Sequence, residues 1–179
     1  MAERAPIILL TGPPASGKST VGRLLAPLAP GGSVYIEGDR FWFYMVKSPP
    51  GAARGPNPRK TQMIVRAMTA AAAPYAAEGY ETIVDFSIGP WLLPAAREAL
   101  GGFPLHLVML CPSRNECARR ALTRTEGPAD YAAVYGDFYD AFATPGPLEA
   151  HMIRDDGLEP GDMARRIREG LDAGVFRLA

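Results

Sequence analysis

Gly12-Pro13-Pro14-Ala15-Ser16-Gly17-Lys18-Ser19 is the stretch that decides how this chain folds. It fills every fixed position of the pattern GxxxxGK[ST], in which a glycine-rich turn aims successive backbone N–H groups inward around phosphate oxygens. Lys18 has the reach to neutralise terminal phosphates, and the Ser19 hydroxyl can ligate Mg²⁺. Context carries this reading, because short glycine patterns recur by chance. Ile7-Ile8-Leu9-Leu10 reads as a buried strand before the loop, and Val21, Leu24, Leu25 and Leu28 fall at helical spacing after it. Strand, loop and helix in that order put phosphates at a helix N-terminus, where unpaired N–H groups and aligned peptide dipoles favour an anion. Gly12 to Ser19, with Thr20 next on the helix, are therefore the expected contacts to a nucleoside triphosphate.

Working outward, the first strand is expected over Ala5–Thr11, and its helix runs from Lys18 to about Ala26, where Pro27 and Pro30 discourage continuation. Ser33-Val34-Tyr35-Ile36 is a second strand closed by Glu37-Gly38-Asp39, and an aromatic-rich helix is expected over Arg40–Val46. Lys47 to Asn57 is rich in Pro and Gly and reads as a loop. Pro58 suits the first turn of a long helix ending at Gly79, with Ile64, Met68, Ala71 and Tyr75 on one face and a kink at Pro74. Glu81–Asp85 is a strand, Leu92–Leu100 a helix and Leu105–Leu110 a further strand. Ser113 and Glu116 form a capping box that opens a helix carrying Arg119, Arg120 and Arg124, which breaks at Gly127-Pro128. Tyr131–Phe142 is a helix, Ala150–Ile153 a final strand, and Met163, Ile167 and Leu171 mark a terminal helix closed by Gly174.

Five short apolar strands alternating with helices predict an α/β fold of three αβα layers around a five-stranded parallel sheet. The 179 residues suit one domain, with a short lid at about residues 120–142. Right-handed crossovers bring the loops after the strands to one sheet edge, so Asp39, Asp85 and the loop after Leu110 should converge on the phosphate loop. Apolar residues make up 47% of the chain and charged residues 21%, as in soluble globular proteins. A formal net charge of zero argues against a nucleic-acid grip through a basic face. No apolar run approaches the roughly 20 residues of a membrane span. Cys111 and Cys117 lack CxxC spacing, which points to reduced structural thiols and a cytoplasmic location.

Phosphoryl transfer needs positioning, charge neutralisation and a group to take the attacking hydroxyl's proton. Asp39, at the end of the second strand, is the candidate for that base, with helix capping as its alternative role. Asp85 ends an apolar strand where a carboxylate could hold Mg²⁺ through a water, orient Ser19 or touch a substrate. Arg120 and Arg124 share a helix face and could meet β- and γ-phosphate oxygens; a solvated basic face is the competing explanation. Arg119 points elsewhere, toward adenine or solvent. Four consecutive aromatics, Phe41 to Tyr44, cannot all enter the core, so one or two should line a cavity. Arg54, Arg59 and Lys60 carry a weak hint of a polar or anionic acceptor. His106 and His151 fall in strand patterns and read as core or surface histidines.

Gly12–Ser19, Asp39 after Tyr35-Ile36-Glu37-Gly38, Val84-Asp85, and Cys111-Pro112-Ser113 with Arg120 and Arg124 together resemble the small P-loop kinases. That group includes chloramphenicol phosphotransferase, gluconate kinase and shikimate kinase. The resemblance follows most of the chain in order and spacing, and only the phosphate loop matches letter by letter. It implies ATP with Mg²⁺, transfer to a small-molecule hydroxyl, a base at Asp39 and lid arginines at Arg120 and Arg124. The departures bear on the acceptor. Shikimate kinases carry a triple glycine after the third strand, where this chain has Phe86-Ser87-Ile88-Gly89; gluconate kinases follow their acid with His-Pro, where this chain has Arg40-Phe41-Trp42. The Glu78-Gly79…Ile83-Val84-Asp85 region is nearest to the antibiotic phosphotransferase. The expected protein is a monomer or homodimer acting on a small alcohol. A polynucleotide 5′-kinase and a non-catalytic nucleotide-binding regulator are the alternatives.

Overall fold

A computed structural model describes residues 4–49, 57–123 and 131–178. Strands β1 (Ile7–Thr11), β2 (Ser33–Glu37), β3 (Glu81–Asp85), β4 (Leu105–Leu110) and β5 (Met152–Ile153) form one sheet in the order β2-β3-β1-β4-β5. Every neighbouring pair is parallel. Side chains alternate across a strand, and β1 shows why this sheet needs cover on both sides. Ile7 and Leu9 point into one core with Val65 and Met68, whereas Ile8 and Leu10 point into another with Leu25 and Ile167. All five β1 side chains are fully buried.

The first core is covered by α3 (Pro58–Ala77) and α4 (Leu93–Ala99), and the second by α1 (Lys18–Leu25) and α7 (Pro160–Asp172). Handedness explains this division. The β1-to-β2 crossover moves one way along the sheet and the next two crossovers move the other way, so α1 falls on the face opposite α3 and α4. A third buried cluster joins α5 (Arg114–Leu122) and α6 (Tyr131–Ala143) through Cys117, Ala121, Tyr139 and Phe142. Both cysteines are free and buried, and burial pushes the Cys117 thiol up to about 11, where it stays protonated.

Some boundaries differ from expectation. Helix α2 spans only Arg40–Phe43, and the Phe43 and Tyr44 side chains at its end stay largely exposed, so they bury little surface that would extend it. Helix α3 continues through Pro74 to Ala77, and Asn57 caps its start by accepting from the Lys60 N–H at 3.0 Å. The final strand keeps two residues, since Gly146–His151 form a 3₁₀ helix; His151 therefore ends a helical turn rather than lying in a strand. His106 does lie in β4, where burial, with Arg177 nearby, lowers its pKa. The capping box forms by half. The Ser113 hydroxyl accepts from the Glu116 N–H at 3.2 Å, but the Glu116 side chain turns to arginines instead. Arg54, Arg124 and Gly127-Pro128 lie outside the described residues. Among the described residues no helix is long and apolar enough to cross a membrane.

Candidate functional site

The loop between β1 and α1 is built so that its carbonyls turn outward. The Lys18 ammonium donates to the Gly12 and Pro13 carbonyls at 3.1 and 3.0 Å. The Tyr131 hydroxyl donates to the Pro14 carbonyl at 2.8 Å, and Arg120 Nη1 to the Ser16 carbonyl at 3.1 Å. With four carbonyls held this way, and the Ser16 N–H donated to the Pro13 carbonyl at 3.2 Å, the first N–H groups of α1 from Lys18 onward remain to face an anion. The backbone geometry needs the residues present: Gly12 has φ +147°, and a Cβ there would stand 2.0 Å from the Leu110 carbonyl oxygen. Ala15 adopts φ 61°, a left-handed conformation that non-glycine residues rarely hold and that clusters at ligand clamps. The Ser16 hydroxyl is buried without a protein partner. An orphaned donor beside those N–H groups fits a polyphosphate.

Two cavities flank this loop. One, of about 270 Å³, is lined by Gly17, Thr20, Pro112, Arg119, Arg120 and residues 155–160. The other, of about 640 Å³, meets the opposite side of the loop at Pro14, Ala15, Lys18 and Ser19, and includes Asp39. Asp39 and the phosphate loop, predicted to converge, thus share one cavity.

Asp39 is exposed and occupies the N-cap position of α2 with helical φ and ψ, and its side chain makes no capping hydrogen bond. Capping is therefore not what holds it in place. Its backbone is set by Gly38, whose N–H donates to the Asp85 carbonyl at 2.7 Å. A Cβ on Gly38 would meet Met68 Sδ at 2.4 Å and that same carbonyl oxygen at 2.8 Å, so only glycine lets the end of β2 lie this close to β3. Glu37, two residues earlier, is bound by Arg23 and Arg40 at 3.1 Å each. Both arginines are mostly exposed, so these pairs add little stability.

Asp85 is buried at the end of β3, and its Oδ2 accepts from the Tyr35 hydroxyl at 2.6 Å. The Ser19 side chain lies near enough to that phenol to lower its pKa against the effect of Asp85. Burial, reinforced by Asp85, raises the Tyr35 pKa well above the ordinary phenol, so it stays a donor. The connection between Asp85 and Ser19 thus runs through a tyrosine that sequence reasoning placed in β2 without a role. The one signal was a polar-tipped ring among the apolar residues of a strand. Mg²⁺ takes one or two protein groups beside waters and nucleotide phosphates, and a hydroxyl with a buried carboxylate behind it fits that donor set. Tyr35→Phe leaves the buried carboxylate short of a donor. It is expected to cost about 1–3 kcal/mol in denaturant unfolding and to raise the Mg²⁺ concentration needed for half-maximal turnover about tenfold. An unchanged Mg²⁺ dependence would leave Tyr35 a packing residue only.

Arg120 sits beside Gly17, held by Glu116 at 2.6 Å and by the Ser16 carbonyl. Arg119 is exposed at the rim of the smaller cavity, and Glu116 accepts two of its N–H groups, at 2.7 and 2.6 Å. Arg119 first, against the cost of burial, and then Arg120 hold the Glu116 carboxyl at about 2. Because the folded value lies below the ordinary 4.5, the stabilisation is complete above pH 4.5 and is lost as pH falls toward about 2. The gap in melting temperature between wild type and Glu116→Gln should therefore close across that interval. A constant gap would mean that Glu116 acts through packing.

Of the aromatic run, Trp42 lines the larger cavity, Phe41 packs against the sheet core, and Phe43 and Tyr44 are exposed. Of the cavity's other aromatic residues, Tyr135 and Phe138 lie in the segment expected to form the lid, whereas Trp91 had no role in the sequence reading. Arg59 and Lys60 do not line it.

Known proteins agree with this architecture. A tunicamycin resistance protein of Deinococcus radiodurans is similar in structure, with TM-score 0.69, 23% identity and coverage of 98% of this chain and 99% of that one. A gluconokinase from Sinorhizobium meliloti aligns with TM-score 0.67 and 20% identity, over 96% of this chain and 94% of its own. APS kinase of Mycobacterium tuberculosis aligns with TM-score 0.68 and 16% identity, over 96% and 99%. No curated protein sequence matches the chain. At such identities the likeness speaks for the fold, and the resemblance to small P-loop kinases holds at that level. The family model described as AAA domain matches residues 7–140, from the first residue of β1 well into α6. Strands β1 to β4 and the phosphate loop lie within that match, and the chain belongs to the AAA domain family of P-loop proteins.

Proposed function

We propose that this protein is an ATP-dependent phosphotransferase that moves the γ-phosphate of ATP to a hydroxyl of a small molecule. One observation carries the proposal: Lys18 and Ser19 open onto the same cavity as Asp39, while a second cavity lies beside Gly17, Thr20 and Arg120. A nucleotide with its base beside Arg119 and Arg120 would thread its phosphates over the loop, and its terminal phosphate would emerge beside a carboxylate. The acceptor oxygen forms a bond to Pγ as the bond from Pγ to the β,γ-bridging oxygen breaks. ADP leaves, and Asp39 takes the acceptor's proton and returns it to solvent, to which it is exposed. Lys18, Arg120 and, by resemblance, Arg124 offset the charge that shifts toward the leaving oxygen. Mg²⁺, held by Ser19 with Asp85 behind it, would supply further neutralisation of the phosphates. The large cavity on the acceptor side favours a small molecule over an ordered polymer end.

ADP formation measured against a panel of alcohols, sugars, nucleosides and oligonucleotides tests this. Stimulation by one small alcohol class is the expected result. Stimulation by oligonucleotide 5′-ends alone would assign a polynucleotide kinase, and no stimulation by any acceptor would favour a nucleotide-binding regulator.

A further inference from the structure

Helix α6 braces the phosphate loop through Tyr131. Its hydroxyl donates to the Pro14 carbonyl at 2.8 Å, across 117 positions of the chain. The ring is buried in the cluster that holds Cys117, Ala121, Tyr139 and Phe142, so packing fixes where the hydroxyl lies. Burial raises its pKa well above that of an ordinary phenol, and the group stays a donor. Ala15, the next residue of the loop, is buried in the same cluster.

Pro14 and Ala15 share one peptide plane, and its orientation decides what the loop presents. In a trans peptide the carbonyl and the following N–H point opposite ways. Holding the Pro14 carbonyl against Tyr131 therefore turns the Ala15 N–H away from α6 and into the loop. This orientation is costly, because it puts Ala15 at φ 61°, a region that a residue with a Cβ holds only when its surroundings compel it. Rotation of the plane would return Ala15 to an ordinary negative φ and swing the Pro14 carbonyl oxygen into the loop, against an anion. A glycine at this position would take either orientation without strain. Alanine needs a restraint, and two are present: the Tyr131 hydroxyl on the preceding carbonyl, and the packing of the Ala15 methyl group in the cluster.

We infer that Tyr131 is a positioning residue for nucleotide binding, whose hydroxyl keeps the Pro14–Ala15 peptide in the orientation that accepts a polyphosphate. This rests on the premise, shared with the phosphotransferase reading, that the loop holds the nucleotide's phosphates. Tyr131→Phe removes the hydroxyl and keeps the packed ring. Tyr139→Phe is the control, because the Tyr139 hydroxyl donates at 2.9 Å from the same helix and cluster, but to the Pro112 carbonyl. Two probes are used with Mg²⁺: ADP, and inorganic tripolyphosphate, which has no base and reads the loop. Both are followed by displacement of a fluorescent ADP analogue.

Tyr131→Phe is expected to weaken both probes by the same factor, about tenfold, since the loss lies at the phosphates and not at the base. Tyr139→Phe should leave both within about twofold of wild type, yet lower the melting temperature at least as much, because its lost bond is the more buried. Unchanged affinity for either probe in Tyr131→Phe would overturn the inference. So would an equal loss in Tyr139→Phe, which would mark a general loosening of the cluster. A wild-type chain that binds neither probe would refute the phosphotransferase reading and this inference with it. Normal wild-type binding that Tyr131→Phe leaves intact would refute the inference alone.

Discussion

Lys18→Ala is expected to slow ATP turnover by about 10³-fold, roughly 4 kcal/mol of lost transition-state stabilisation. The ammonium has two tasks. It would offset charge that builds up on the transferring phosphoryl group, and it bridges the Gly12 and Pro13 carbonyls at the start of the loop. Its removal should therefore weaken nucleotide binding as well as the chemical step. Pre-steady-state measurement of nucleotide affinity alongside single-turnover transfer separates these losses. Circular dichroism should show a folded chain, because the loop lies outside the two sheet cores. Turnover at the wild-type rate would mean that transfer does not occur at this loop.

Asp39→Asn is expected to leave nucleotide affinity within about twofold of wild type and to cut transfer by about 10²-fold or more, the usual contribution of a general base. The amide keeps the shape of the carboxylate and cannot take the acceptor's proton at neutral pH. Stability supplies an internal control. Asp39→Ala serves that purpose, because Asn caps as well as Asp and loss of a cap to Ala costs about 1 kcal/mol; since the Asp39 side chain makes no capping hydrogen bond, no fall in melting temperature from a lost cap is expected. A large fall in melting temperature with unchanged transfer would reassign Asp39 to the architecture. Gly38 lies behind this result, because it alone allows the chain to bring Asp39 to the end of β3.

Much of this site could be read from local sequence. The eight residues from Gly12 to Ser19 specify a loop whose conformation depends on its own glycines and on the strand and helix at its ends. The strands β1, β3 and β4 fall where short apolar runs predict them, because the middle of a strand buried on both faces is apolar, even where, as in β3, partnered acids stand at its ends. Helix α2 was expected to run to Val46, and its early end shows the limit of periodicity: a helix persists where it finds a face to bury, and Phe43 and Tyr44 bury little. Ser113 and Glu116 were read as a reciprocal cap. One half formed, because two arginines outcompete a backbone N–H for the Glu116 carboxylate.

By itself, then, the order of residues determined the phosphate loop, the parallel α/β plan and the placing of Asp39 and Asp85 at strand ends, since each rests on contacts between near neighbours along the chain. Tertiary structure alone decided the rest. It joined Tyr35 to Asp85 across fifty positions and Arg120 to the Ser16 carbonyl across 104, and it gathered Trp42, Trp91 and Phe138 around one cavity. The physical reason is that those partners meet only after strands separated in sequence have paired. An aromatic or arginine side chain carries the same local signal whether it ends in a wall, a brace or open water.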